Sequence, residues 1–195
     1  MGTKNRKTVL RNRNSAARDA KGSNGGGTFS RPVTETSVKI RFICVGKLKN
    51  TSLRALATDY GSRVSRFAPL EIIELRDGKA ADPVSRLSEE AKSITAALGT
   101  MKNGKFPVNT VLLDERGDAP DTAAFSRFLD RSMHKGLSLD FVIGSSHGID
   151  PDLKKAIPTH LRLSAMTMTH EWARTFALEQ VYRAFCLLRG FPYHH

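Results

Sequence analysis

The strongest constraint in this chain is an alternation. From Val38 onward, short runs rich in Val, Ile, Leu and Phe alternate with longer stretches whose apolar residues recur at helical spacing. Val38–Val45 reads as a strand closed by Gly46, and Leu53–Phe67 as a helix weakened by Gly61. Leu70–Leu75 is a second strand, and Pro83 opens a helix that runs to Leu98 and stops at Gly99. Thr110–Leu113 predicts a short buried strand that ends in Asp114-Glu115-Arg116-Gly117. Asp121 caps a helix to about Met133, and Leu139–Ile143 is the next strand. Pro151–Ala156 predicts a short helix and Leu161–Met166 a last strand. Thr169 then caps a long helix with Trp172, Phe176, Val181, Phe185 and Leu188 on its apolar face, ended by Gly190 and Pro192. Strands joined through helices lie parallel, and such a sheet needs cover on both faces. The expected class is α/β, without internal repeats.

Charge separates this region from what precedes it. Residues 1–37 carry eight Lys and Arg against two acidic residues, half of the net +12 of the whole chain. Large apolar residues are scarce there, and Ser23-Asn24-Gly25-Gly26-Gly27 interrupts it, so the segment cannot build a core. Two units are expected: a disordered basic tail over 1–37 and a folded domain over 38–195. The tail suits an organelle transit peptide or an arm that follows phosphates, with Arg11, Arg13 and Arg18 among its contacts. A plain solvated leader is the bland alternative. No apolar run approaches the roughly 18 residues of a membrane span. No secretory h-region is expected either. Cys44 and Cys186 form no CxxC, which argues against a disulfide scaffold or zinc ribbon and for a reducing compartment.

In a parallel sheet, ligands bind in loops beyond the carboxyl ends of the strands. Three such loops carry chemistry here: Asp114–Gly117, Gly144–Gly148 and Met166–His170. Gly144-x-Ser146-x-Gly148 matches the nucleophile-elbow pattern of serine hydrolases, with His170 or His194 as the base. The elbow needs a helix directly after it, whereas Asp150-Pro151 starts one later, so the glycines more readily serve a close-lying ligand. The six histidines show no HxxxH or HExxH spacing, and no metal site is expected.

The final third carries a likeness. Val142-Ile143-Gly144 with Gly148, then Leu163-Ser164-Ala165-Met166-Thr167, His170, Arg174, Glu179-Gln180-Val181-Tyr182-Arg183-Ala184 and Tyr193-His194 closely resemble the RlmH-type SPOUT methyltransferases. Val45-Gly46-Lys47-Leu48-Lys49 and Leu113-Asp114 fit the same family. The resemblance covers about Val38 to His195, in order and without large gaps, and only the tail lies outside it.

That resemblance implies methylation of N3 of a pseudouridine in large-subunit ribosomal RNA, with S-adenosylmethionine as donor. It implies a parallel sheet with a C-terminal trefoil knot, an exception to the rule against threaded connections. It implies a homodimer built on the last helix. Leu113, Gly144, Leu163, Ser164, Ala165, Met166, Thr167 and Met168 would hold the cofactor, largely through backbone groups. Tyr193 and His194 would reach the methyl-transfer site, His194 as proton acceptor and Tyr193 orienting the base. His170 and Arg174 would engage RNA phosphate. Mitochondrial matrix is the compartment suggested by the basic leader, with the bacterial cytoplasm as alternative.

Two positions depart from the family pattern. Ser145 follows Gly144 where a second glycine is usual, and Thr169 precedes His170 where proline is common. They keep a second expectation alongside the first: a ribosome-assembly factor that retains the fold and binds RNA without catalysis.

Overall fold

The structure is a computed structural model that describes residues 38–193. The tail, with Arg11, Arg13 and Arg18, and the terminal His194 and His195 lie outside the described residues. The elements are β1 (Ile40–Val45), α1 (Thr51–Val64), β2 (Leu70–Leu75), α2 (Pro83–Leu98), β3 (Thr110–Asp118), α3 (Thr122–His134), β4 (Leu139–Ile143), α4 (Pro151–Ala156), β5 (Thr159–Leu161) and α5 (His170–Leu188). The five strands form one sheet in the order β2-β1-β4-β3-β5, and every pairing is parallel.

The alternation of side chains along each strand builds two cores, because successive residues point to opposite faces. Ile40, Phe42 and Cys44 of β1 join Leu53 of α1, Leu129 of α3 and Leu178 of α5. Ile43 and Val45 face the other way, onto Ile94 of α2 and Leu153 of α4. Three helices therefore cover one face and two the other, as a sheet apolar on both sides requires. Each fully buried Leu, Ile or Phe contributes about 2 kcal/mol by leaving water. Register is fixed by charge as well. Arg41 and Asp140 are direct partners across β1 and β4, and Arg41 Nε donates to Asp140 Oδ1 at 2.6 Å. A one-residue slip would carry the two groups to opposite faces.

The helix starts follow from capping. Asp121 accepts from Ala124 N–H and Thr169 from Trp172 N–H, as the sequence leads one to expect, and Asn50, Asp82 and Asp150 cap α1, α2 and α4 in the same way. Two strands differ from expectation. The last strand is Thr159–Leu161, so Leu163–Met166 is loop and not strand. β3 runs on to Asp118, with its register broken between Leu113 and Asp118, so Asp114–Gly117 bulges out of the sheet.

Candidate cofactor cleft and active site

The bulge in β3 and the loop after β5 face each other across a cleft. Leu113, Asp114 and Glu115 line one side, and Leu163, Ser164, Met166, Thr167 and Met168 line the other. Six residues expected to hold the cofactor thus share one cleft; Ala165 and Gly144 are not among its lining residues. The loop wall is built to offer backbone. Among the described residues, the N–H and carbonyl groups of Leu163, Ala165, Thr167 and Met168 make no backbone hydrogen bond, and Met166 N–H is held only by Ser164 Oγ at 3.0 Å. Free amides and carbonyls beside Leu and Met side chains suit a ligand that joins a flat heteroaromatic ring to an amino-acid tail.

Asp114, Glu115 and Arg162 give this cleft its charged groups. Burial works to raise the Asp114 pKa, yet Lys154 at 2.7 Å and the Arg116 amide at 2.9 Å hold the carboxyl below its ordinary value. Glu115 is exposed on the same wall. Arg162 lines the same cleft, and Asp114 is paired with Lys154, so the walls offer charges of both signs, which suits a ligand whose tail carries both an ammonium and a carboxylate. The residues present therefore fit S-adenosylmethionine.

Gly144 serves a different end from the one its position suggests. A Cβ there would lie 2.4 Å from the Gly148 carbonyl oxygen and 2.8 Å from Ile149 Cγ1. The glycine is required by its own turn, in which Gly148 N–H donates to the Ser145 carbonyl at 3.1 Å. Ser145 is buried, and its hydroxyl accepts from His147 N–H at 3.2 Å. The departure at Ser145 is thus absorbed inside the turn. Thr169 likewise has a structural task, the cap of α5.

The hydrolase pattern fails on proton placement. Ser146 Oγ is 3.3 Å from His147 Nδ1, but His147 Nε2 lies 2.9 Å from Arg86 Nη1. A guanidinium only donates, so Nε2 accepts and the proton sits on Nδ1, facing the serine. A ring that points its N–H at the hydroxyl cannot take the hydroxyl proton. Among the described residues no carboxylate is hydrogen-bonded to this histidine, and α4 begins at Pro151, well after the turn.

The remaining expected residues are spread out. Arg174 is buried, and its Nη2 donates to Glu74 Oε1 at 2.8 Å, so a carboxylate of β2 is its partner within the fold. His170 is half-buried and lines a second cleft, over the other half of the sheet. Tyr193 packs edge-on against Tyr182, with ring centroids 4.7 Å apart, and its hydroxyl lies 3.2 Å from that of Tyr60 and 3.3 Å from Glu179 Oε1. Burial, followed by the hydrogen bond with Tyr60, pushes its phenol pKa upward. Glu179 stands six residues beyond Ala173 of the cofactor cleft, about 9 Å along α5. Tyr193 is not among the residues that line the cleft of its own chain. Trp172 and Phe176 on α5, with Met166 and Met168 in the cleft loop, leave an apolar surface uncovered.

Residues that sequence reasoning passed over gather in the second cleft. Asp77 comes from the stretch after β2, and Arg86 and Glu90 stand one turn apart on α2; Lys47 joins them from the stretch after β1 that the family likeness had already picked out. Of the first three, only Glu90 left a trace, as an acidic residue on the buried face of α2, one turn before Ile94.

Comparison with known proteins bears on the same region. A family model described as Predicted SPOUT methyltransferase matches residues 38–194. The chain is 34% identical over 159 residues to the Ribosomal RNA large subunit methyltransferase H of Geobacter sp. (strain M21), covering 81% of this chain and 99% of that protein. It is 38% identical over 158 residues to the proteins of that name from Ruminiclostridium cellulolyticum and Acetivibrio thermocellus, covering 80% of this chain and 99% of each. With a five-stranded parallel sheet, a backbone-lined cleft where the likeness places a cofactor, and a family match across the whole folded region, the chain belongs to the SPOUT methyltransferase family.

Proposed function

We propose that this protein transfers a methyl group from S-adenosylmethionine to N3 of a pseudouridine in large-subunit ribosomal RNA, acting as a homodimer. The observation that carries this reading is the cleft in which Leu113 faces Leu163–Met168 with free backbone groups. Relatives named for ribosomal RNA large-subunit methylation support the substrate class. The trefoil-knotted path of the C-terminal third belongs to the same reading.

S-adenosylmethionine would supply an activated methyl group, so the chain need not provide a nucleophile. Backbone groups of Leu163–Met168 hold and orient, Leu113 and Met166 contribute apolar wall, and Glu115 favours positive charge nearby. The attacking nitrogen must lose a proton, for which His194 is the acceptor in this proposal. Tyr193 sits beside Tyr60 and Glu179 and does not line the cleft of its own chain. The terminal pair therefore acts on the cleft of a second copy. The uncovered Trp172 and Phe176 supply the apolar surface for that association.

The silent assembly-factor alternative drew on Ser145 and Thr169, and both have structural work that leaves the cleft open. The tail is read as an RNA-gripping arm. The bacterial origin of the relatives favours a bacterial cytoplasm over the mitochondrial matrix.

Mixing two inactive chains tests this reading. Leu163→Arg should block the cofactor cleft and His194→Ala the proton transfer, and each alone should lose methylation of unmodified large subunits. Mixed and reassociated, they should regain activity through dimers with one intact composite site. A mixture as inactive as its parents would contradict the shared site.

A further inference from the structure

We propose that the second cleft holds one unpaired RNA nucleotide and reads the hydrogen-donor edge of its base, guanine fitting best. The inference deepens the proposed function, since it rests on RNA being the substrate. It concerns a site separate from the cofactor cleft, across the start of α5: His170 lines one cleft, while Met168 and Ala173 line the other.

The floor of this cleft of about 220 Å³ is an acceptor without a donor. Glu90 is 3% exposed; its Oε1 accepts from Gly78 N–H at 3.0 Å, and its Oε2 has no partner among the described residues. A buried acceptor left unpaired costs about 1–3 kcal/mol, which a ligand N–H would recover. His170 Nδ1 is likewise buried without a partner. Gly46, at φ +85°, keeps the space between them open: a Cβ there would stand 3.2 Å from Asp77 Oδ1 and 3.3 Å from His170 Nε2.

Around the rim cations are in excess. Lys47 and Lys49 are exposed and make no ion pair among the described residues. Glu171, held by the Lys49 and Asn50 amides at 3.0 and 2.9 Å, and Asp77 offset part of this charge, which leaves Lys47, Lys49 and Arg86 in slight excess. Arg86 is anchored by the Ala80 carbonyl at 3.0 Å and by His147. Carboxylate floor and ammonium rim together describe a ligand with N–H donors at one end and phosphate at the other. Among the described residues no three His, Cys, Asp or Glu side chains are grouped for a metal ion. A splayed nucleotide of single-stranded RNA has this polarity. Guanine places N1–H and N2–H side by side and so answers a carboxylate better than adenine, cytosine or uracil.

Titration of the full chain with guanosine 5′-monophosphate and with adenosine 5′-monophosphate, followed by NMR, tests this directly. Guanosine monophosphate should shift the Gly46, Gly78 and His170 signals and bind about tenfold tighter than the adenosine compound. Glu90→Gln should erase that preference, and Lys47→Ala should weaken both nucleotides alike. Equal affinity for the two, shifts confined to other residues, or a preference that survives Glu90→Gln would overturn the proposal. If Glu90→Gln does not fold, the exposed Lys47→Ala/Lys49→Ala pair decides, and unchanged affinity there overturns it. A parallel titration with S-adenosylmethionine reports on Leu163–Met168, so failure of the methyltransferase reading would be seen separately.

Discussion

Arg174 Nη2 lies 2.8 Å from Glu74 Oε1, tying α5 to β2 from inside the protein. Glu74 also accepts from Leu48 N–H at 3.4 Å, so the pair joins the start of the long helix to the loop after β1. Arg174→Ala should cost about 3 kcal/mol in chemical denaturation, because a half-buried carboxylate is left without its cation. The double variant Arg174→Met/Glu74→Gln should recover much of that loss. A phosphate-binding role alone would instead leave stability untouched and change only RNA affinity.

Gly144→Ala should perturb the turn before it perturbs any ligand. The added Cβ meets the Gly148 carbonyl oxygen at 2.4 Å, too close to stand without backbone movement. Thermal unfolding should show a loss of about 1–3 kcal/mol, with weaker cofactor binding as a consequence. An unchanged melting temperature would mean that the turn relaxes freely.

Cys44 gives an alkaline signature. Burial raises its thiol pKa from 9.0 to about 11. A raised acid is held in its neutral form by the fold, so this stability is complete below pH 9 and drains away up to about pH 11. The slope across that window should be about 1.4 kcal/mol per pH unit. In Cys44→Ala the slope should flatten, whatever the cost of the small cavity. A wild-type protein equally stable at both ends of the window would contradict the assignment.

The tail prediction depends on charge alone. Residues 1–37 hold half the net charge. Their deletion should weaken binding to ribosomal RNA and lower the salt slope by a little under one logarithmic unit per lost phosphate contact, by analogy with duplex DNA. Cofactor affinity should not change. An identical salt slope would make the tail a leader without RNA contacts.

Period and punctuation made most of the frame legible. β2, α2, β4 and α4 match their expected bounds, since Pro83, Gly99 and Pro151 mark their ends with backbone chemistry. Leu161–Met166 misled because Leu163 and Met166 line the cleft beyond the sheet edge, Leu163 also packing against the core; an apolar run does not say which surface it faces. The bulge at Asp114–Gly117 was invisible, as it comes from pairing with β5. The phosphate role expected of Arg174 rests on family likeness, and its ion pair with Glu74 left no local signature because the partner lies 100 residues away. The cofactor cleft was reached through likeness to a family, since its walls come from two distant loops. The second cleft draws on five stretches, and although Gly46, Lys47, Ser146 and His170 stood in motifs, nothing in the sequence showed that they meet.

Incubating the full chain with S-adenosylmethionine and large ribosomal subunits that lack the modification tests the central claim most directly. Mass spectrometry of nuclease fragments should show one added methyl group on a single pseudouridine, and Leu163→Arg should abolish it. Cofactor binding without any methyl gain on RNA would contradict the account and return the chain to the assembly-factor reading.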